Sequence, residues 1–402
     1  MFKRFIVLSA ILCIGITAHA KSYKNTTISL LTVSPGTELY SLFGHSALRI
    51  QAPLEGKDLV YNYGTFDFDT PNFTMLFVSG RLDYMLAVNS YYQIYQSSFW
   101  EERALYEQVL NLNDEQKERI IQFLEKNALP ENKLYRYDFL KDNCSTRIRD
   151  VIEYGLKDSA IFNQAKTSYP PLSYRQLLAP FLTNYPWVHF GIDLALGLPA
   201  DKLTNNSEKM FLPDYMMAIF AQSKLANGES LVDDTRSILT QQREPIQTLN
   251  ILTPFSVFFA ILTLSLIGFS SRRYSRIFCA SFFFIIGILG IVVALLAFAT
   301  DHAAMRNNLN LLWAVPLNII FFRAAGKKHI SKISRYYFIT IGILAIFLLT
   351  TWNVLPQHFN TAIIPILLTI ISASTQISIQ RYKPKELAPS SSRIAKNTKS
   401  VK

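Results

Sequence analysis

The chain has 402 residues, half of them apolar and only 17% charged, against about a quarter charged in ordinary soluble proteins. Its formal net charge is +11, yet residues 21–250 hold 22 Lys+Arg and 27 Asp+Glu. The positive surplus therefore sits at the ends of the chain, which excludes a nucleic-acid binder by charge footprint. The apolar excess excludes a disordered chain and a single soluble enzyme.

Lys3 and Arg4 precede the apolar run Phe5–Gly15 and then Ala18-His19-Ala20. This is the three-part pattern of a secretory signal, residues 1–20, cleaved after Ala20; the run is short for a membrane anchor. Leu12 before Cys13 argues against lipidation there. Residues 21–250 contain no apolar stretch long enough to span a bilayer and are expected to form one extracytoplasmic domain. Thr26–Thr32, Ser46–Gln51 and Asp58–Tyr63 read as strands of a small antiparallel sheet. Residues 74–79 and 84–88 read as strand or short helix. Asn113 with Gln116 resembles a capping box opening a helix over 114–127. Asn143 is an N-cap for a helix carrying Ile148, Val151 and Ile152, with Gly155 as its C-terminal stop. Prolines from Pro170 to Pro213 break residues 170–225 into a second helical layer.

From Leu252 the composition changes to that of a membrane domain, residues 251–380. Five spans are expected, at about 252–269, 277–300, 309–322, 336–352 and 361–379, with Pro316 and Pro365 interrupting two of them. Arg272, Arg273 and Arg276 fill one connection, and Arg323, Lys327, Lys328, Lys332 and Arg335 another. The intervening loops are neutral, and the tail 381–402 is basic. Every second connection is positive, which places the tail in the cytoplasm and the N-terminal domain outside, as the signal also requires. The tail itself reads as disordered.

The chemistry-bearing pair is Phe43-Gly44-His45-Ser46-Ala47 and Asp142-Asn143-Cys144-Ser145-Thr146. Cys144 is the single thiol of the exported domain, so that domain is not held by disulfides. A helix N-terminus stabilises a thiolate through its unpaired N–H groups and positive dipole end, and an imidazole completes an acyl-transfer pair. The Cys144 N–H with an adjacent polar group would form an oxyanion hole. The bland alternative is a buried thiol and a structural histidine. A base needs an orienting partner. Asp67, Asn62 and Tyr63 lie on or after the strand expected beside His45. Asp67 is the first choice and Tyr63 also a candidate, although Asp67 reads equally as a turn residue before Thr70-Pro71. A zinc site is not expected, because His45 and His189 lack paired ligand spacing with Cys144. The aromatics from Phe73 to Trp100 read mainly as core, or else as the lining of an acyl groove. Arg81, Arg147 and Arg149 are phosphate contacts or, more simply, partners of neighbouring carboxylates.

Gly44-His45-Ser46-Ala47-Leu48-Arg49-Ile50, followed by Asn143-Cys144-Ser145, resembles the circularly permuted papain-like thiol fold, of which the lecithin:retinol acyltransferase group is one branch. Pro35–His45, Tyr63–Phe68, Gly80–Tyr84 and Tyr137–Cys144 further resemble the Lnb family, the lipoprotein N-acyltransferases of Bacteroides and relatives. The resemblance implies an α+β thiol domain followed by an all-α membrane domain of about five helices. It implies that Cys144, with His45 as base, takes an acyl chain from a membrane phospholipid as a thioester. The acceptor would be the α-amine of the diacylglyceryl-cysteine of a diacylated lipoprotein, at the inner membrane, with no cofactor and no nucleic acid. A thiol hydrolase (a cell-wall peptidase or lipid esterase) is the first competing reading. A non-catalytic lipid- or peptide-binding sensor is the second.

Overall fold

The computed structural model describes residues 23, 25–158, 160–165, 170–241 and 251–380. The expected signal and basic tail lie outside the described residues. The described chain separates into two compact units. The first gathers described residues of the stretches up to Pro71, Asp83–Pro170 and Asn205–Glu244; the second those of Asn72–Leu82, Pro171–Thr204 and from Pro245 onward. Residues 72–82 and 171–204 group with the C-terminal part because they make their contacts there.

The first unit is built on a seven-stranded antiparallel sheet in the order β6-β4-β3-β2-β1-β5-β7. The strands are β1 (Thr27–Val33), β2 (His45–Ala52), β3 (Lys57–Thr65), β4 (Asp83–Ser90), β5 (Leu105–Leu110), β6 (Leu134–Arg136) and β7 (Val232–Leu239). In chain order α1 (Phe73–Ser79) follows β3, α2 (Tyr91–Trp100) follows β4, α3 (Asp114–Asn127) follows β5 and α4 (Cys144–Leu156) follows β6. The β-branched and leucine-rich β1 is buried along all but its first residue and takes an interior position, between β2 and β5. Its register with β2 runs from Thr27↔Gln51 to Val33↔His45, so His45 stands at the very end of the pairing. Ala47, Val60, Leu31, Val33 and Leu105 form a cluster against which Tyr91, Ile94 and Tyr95 of α2 pack. Alternation turns Ser46 to the other face, where its hydroxyl accepts a hydrogen bond from Ser145 of α4 at 3.0 Å.

Three elements escaped the sequence pattern. β7 carries Asp233, Asp234 and Arg236 on an exposed edge, where charges suit an edge strand but erase the apolar alternation. α2 and β5 lie in a stretch whose aromatics do not follow a clean period. The capping box of Asn113 and Gln116 opens α3 as the sequence predicts. Gly155, however, does not stop α4. The helix continues to Leu156 and is capped by Lys157 in the left-handed region. Gly155 instead marks the α3–α4 contact: a Cβ there would lie 2.3 Å from Ile120 Cγ1 and 2.7 Å from its Cδ1.

In the second unit Arg272–Ala299 and Lys332–Thr350 are, among the described residues, the helices long and apolar enough to cross a membrane; Pro254–Gly268 and Ile363–Ser378 are shorter apolar helices. The expected span at 309–322 is not one helix. It is a 3-10 turn, Leu309–Leu312, then a break, then a helix over Asn318–Ala325. Pro316 causes the break, since it lacks an N–H and disfavours helical backbone at Val315. The broken segment lies directly on Arg272–Ala299: a Cβ on Gly290 would sit 2.2 Å from the Ala314 carbonyl oxygen. Pro365 interrupts nothing, as it falls in the first turn of Ile363–Gln380, where proline is tolerated.

Buried Arg175 explains why residues 171–204 join this unit. Its guanidinium bonds Asp201 through Nε and Nη2 and Asp193 through Nη1, each at 2.9–3.0 Å. Asp193 also accepts from Asn360 at 2.9 Å, and Asp201 pairs with His358 at 3.1 Å. Such a network fixes segments to one another, because removing one partner strands a buried charge at a cost of about 3–5 kcal/mol.

The α3–α4 contact gives the first prediction. Gly155→Leu should lower the thermal midpoint of the purified full chain by several degrees, through overpacking costing about 1–3 kcal/mol. Gly155→Ala should fall between wild type and Leu. Equal midpoints for all three, measured by scanning fluorimetry, would remove Gly155 from that contact.

Candidate active site

α4 begins at Cys144 because Asn143 caps it. The Asn143 side-chain carbonyl oxygen accepts from the Ser145 and Thr146 amides, both at 2.9 Å, and Thr146 Oγ1 accepts from the Asn143 amide at 2.8 Å. The Asn143 side-chain amide donates to the carbonyls of Phe139 and Phe211, so this side chain has no donor left for chemistry. The cap leaves the Cys144 N–H, first in the helix, uncapped. Upstream, Asp138 Oδ1 accepts from the Leu140 and Lys141 amides and shapes the loop that delivers Asn143.

His45, at the end of β2, and Cys144 are both partly exposed. Their ionisations are linked. Burial alone pushes the thiol up, but the charge of His45, a hydrogen bond from its ring, the Ser46 backbone N–H and the Ser145 hydroxyl outweigh it and bring Cys144 to about 7. Burial pushes the imidazole down; the Cys144 charge and hydrogen bond, with Asn62, outweigh it, and Arg103 opposes them, leaving His45 above its ordinary value. Both shifts favour thiolate with imidazolium.

The group on the far side of the ring is Asn62. His45 Nε2 lies 2.5 Å from Asn62 Oδ1. A carbonyl oxygen accepts, so Nε2 carries the proton and Nδ1 is left for Cys144. Asn62 Nδ2 in turn points at Asn89 Oδ1 on β4, at 3.5 Å. Register explains the choice. β2 and β3 pair Leu48↔Tyr61 and Arg49↔Val60, so the next step sets Asn62 beside Ala47, with the parity of His45.

The other two sequence candidates stand elsewhere. Asp67 is an exposed turn residue: its Oδ1 accepts from the Asp69 amide at 2.9 Å and its carbonyl from the Thr70 hydroxyl at 2.7 Å. Tyr63 has the opposite parity, is buried, and donates its hydroxyl to Asn127 of α3 at 2.6 Å. Neither bonds His45. Arg147 chelates Asp142, Arg149 holds Asp150 and the Ser207 carbonyl, and Arg81 pairs with Asp301, so the three arginines serve neighbouring groups.

Two residues at the site were passed over in the sequence. Gly64 has φ +83° and lies in a bulge between Asn62 and Thr65, and a Cβ there would meet Cys144 Cβ at 3.3 Å. An L side chain would be both strained and in the way. Tyr135, on β6, is 8% exposed, and its hydroxyl oxygen is buried with no hydrogen-bond partner. Its ring lies beneath the Arg147 guanidinium at 3.9 Å. Burial, then the Cys144 charge, raise this phenol far above its ordinary value, against the smaller pull of Arg147 and the Gly64 backbone, so it remains a proton donor. Alternation of Tyr135 and Tyr137 ahead of Asn143-Cys144 was the available signal. Among the described residues no group of three or more His, Cys, Asp or Glu is arranged to hold a metal ion.

A family model described as the Lnb N-terminal periplasmic domain matches residues 18–179, and one described as the Lnb transmembrane domain matches residues 246–385. Together they cover about three quarters of the chain. The protein is therefore a membrane protein with a periplasmic domain. No curated protein and no solved structure matches significantly.

Ionisation of the pair is directly measurable. Alkylation of Cys144 by iodoacetamide should rise with pH through a midpoint of about 7, because thiolate is the reacting form. In His45→Ala the largest offsets to burying the thiolate are lost, and only the Ser46 N–H and the Ser145 hydroxyl remain. The midpoint should move up past the ordinary thiol value, and the rate at pH 7 should fall by about tenfold or more, since each whole step in thiol pKa above the working pH cuts the thiolate fraction about tenfold. An unchanged profile in His45→Ala would dissociate the two residues.

Proposed function

The chain belongs to the Lnb family, and from that premise we propose that it is a lipoprotein N-acyltransferase using Cys144 as nucleophile. The observation that carries this reading is the line Cys144–His45–Asn62 at the first residue of an Asn143-capped helix, whose cap leaves the Cys144 N–H aside. Its chain order, histidine strand before cysteine helix, fits a circularly permuted papain-like thiol domain.

The Cys144 thiolate attacks the ester carbonyl carbon of a membrane phospholipid. As the tetrahedral intermediate collapses, the C–O ester bond breaks, and His45 Nδ1–H gives its proton to the departing lysophospholipid oxygen. The acyl chain rests on Cys144 as a thioester. The neutral α-amine of a diacylglyceryl-cysteine then attacks that carbonyl. A C–N bond forms, the C–S bond breaks, and the amine proton passes to His45 Nδ1, which restores the thiolate–imidazolium pair. Asn62 holds the ring through Nε2–H in both half-reactions. The Cys144 N–H and the Tyr135 hydroxyl supply donors for the oxyanion. The steps balance without a cofactor, and both substrates reside in a membrane, which suits a thiol domain carried by a transmembrane domain. Five membrane helices, an inner-membrane location and a cytoplasmic tail complete the reading, supported by the alternating basic connections.

The test is the mass of the N-terminal peptide of a lipoprotein from a host lacking its own N-acylation activity. Wild type should add a third acyl chain and Cys144→Ser none. Tyr135→Phe should slow acylation of Cys144 by about 10²–10³-fold, the loss typical of one oxyanion donor. Asn62→Ala should slow transfer by at least tenfold, whereas Asp67→Ala should stay within twofold of wild type. Lysophospholipid release with no triacylated peptide would replace this reading with the thiol hydrolase.

A further inference from the structure

α1 presents a physical problem. Its sequence, Phe-Thr-Met-Leu-Phe-Val-Ser, has no charged residue, and none of its seven residues is buried. Met75 is 71% exposed, Phe77 48% and Val78 47%. Scattered exposed apolar residues need no explanation, but an uncharged helix with apolar side chains exposed in succession does not suit water.

The helix is fixed at a defined level of the second unit. The Ser79 carbonyl accepts from the Asp301 amide at 2.9 Å, His302 Nε2 lies 3.2 Å from the Phe77 carbonyl, and Arg81 pairs with Asp301 at 3.0 Å. These contacts satisfy the last carbonyls of α1, which have no partner within the helix. Gly80 permits them, for a Cβ there would sit 3.2 Å from the His302 ring. Asp301 and His302 directly follow the end of Arg272–Ala299, the longest apolar helix. That helix has 28 residues, about 42 Å at 1.5 Å per residue, more than the roughly 30 Å of hydrocarbon in a bilayer. Its apolar exposure persists to the end, with Leu295 55% and Phe298 76% exposed. The lipid-facing surface of the span therefore reaches to within one turn of the residues that hold α1.

We propose that α1 is immersed in the periplasmic leaflet of the bilayer, with Met75, Phe77 and Val78 among the acyl chains and the Arg81–Asp301 pair at headgroup level. The side of the membrane follows from the periplasmic match over residues 18–179, which includes α1. It also places the C-terminal end of Arg272–Ala299 on the periplasmic side and Arg272, Arg273 and Arg276 on the other, as the distribution of basic residues requires. α1 interrupts the chain between β3, which carries Asn62 and Gly64, and β4, which carries Asn89. This inference concerns location and stands whatever reaction Cys144 performs.

The test uses the full chain in phospholipid nanodiscs. A bimane probe is attached at Phe77→Cys, and in a second variant at Met75→Cys, with the other cysteines replaced by serine. Quenching by phospholipids bearing a nitroxide at carbon 5 of the acyl chain, by half or more at either position, is the expected result, and it needs no turnover. If nitroxide lipid leaves both positions unquenched, the proposal fails. Quenching by aqueous iodide alone would then mean that α1 faces water, and quenching by neither that protein covers it.

Discussion

One requirement organises the first unit: a thiolate and an imidazolium must be stable together at a partly buried position. Burial works against both charges, and the largest offset for each is the charge of the other. The surrounding structure serves that pair. Asn143 starts the helix one residue before the thiol and takes the second and third amides for itself, which leaves the first unpaired. Ser46 and Ser145 join β2 to α4 and also bond the sulfur. The bulge at Gly64 lets β3 pass close to Cys144 while Asn62, two residues earlier, still reaches His45.

The same packing defines what the site offers a substrate. Asn143 is consumed by its cap, and Arg147 by Asp142 and the face of Tyr135, so neither is free to hold a substrate anion. Close enough to feel the Cys144 charge is the Tyr135 phenol, which burial keeps protonated. The second unit follows a different logic. Its spans are apolar on their lipid-facing sides, and its irregular backbone at 309–317 is packed on the glycines of the long helix rather than exposed.

Much of the candidate site was legible because it is local. Asn143 as cap, Cys144 at a helix start and His45 at a strand head are readable within a few residues of sequence. The orienting partner was not. Asn62, Tyr63 and Asp67 are within six positions of one another, and choosing among them requires the register of β3 on β2. A one-residue slip exchanges the two faces of a strand, so composition favoured the carboxylate, whereas parity selects the amide. Gly64 was missed because a bulge has no periodic signature, and Tyr135 because the alternation of Tyr135 and Tyr137 is too short to show which face they take.

Sequence alone pointed to a periplasmic domain followed by a transmembrane domain, as the family models also have it, since hydropathy and charge act through chain-local transfer energies. It also determined the helix cap that presents the thiol, because capping spans four residues. Tertiary structure decided which residue hydrogen-bonds His45, that the Tyr135 hydroxyl is buried without a partner, and that residues 72–82 and 171–204 group with the second unit. Each of these depends on pairing between segments far apart in the chain. There, register, a buried Arg175 network and the end of a transmembrane helix set the outcome, and none of them leaves a local pattern.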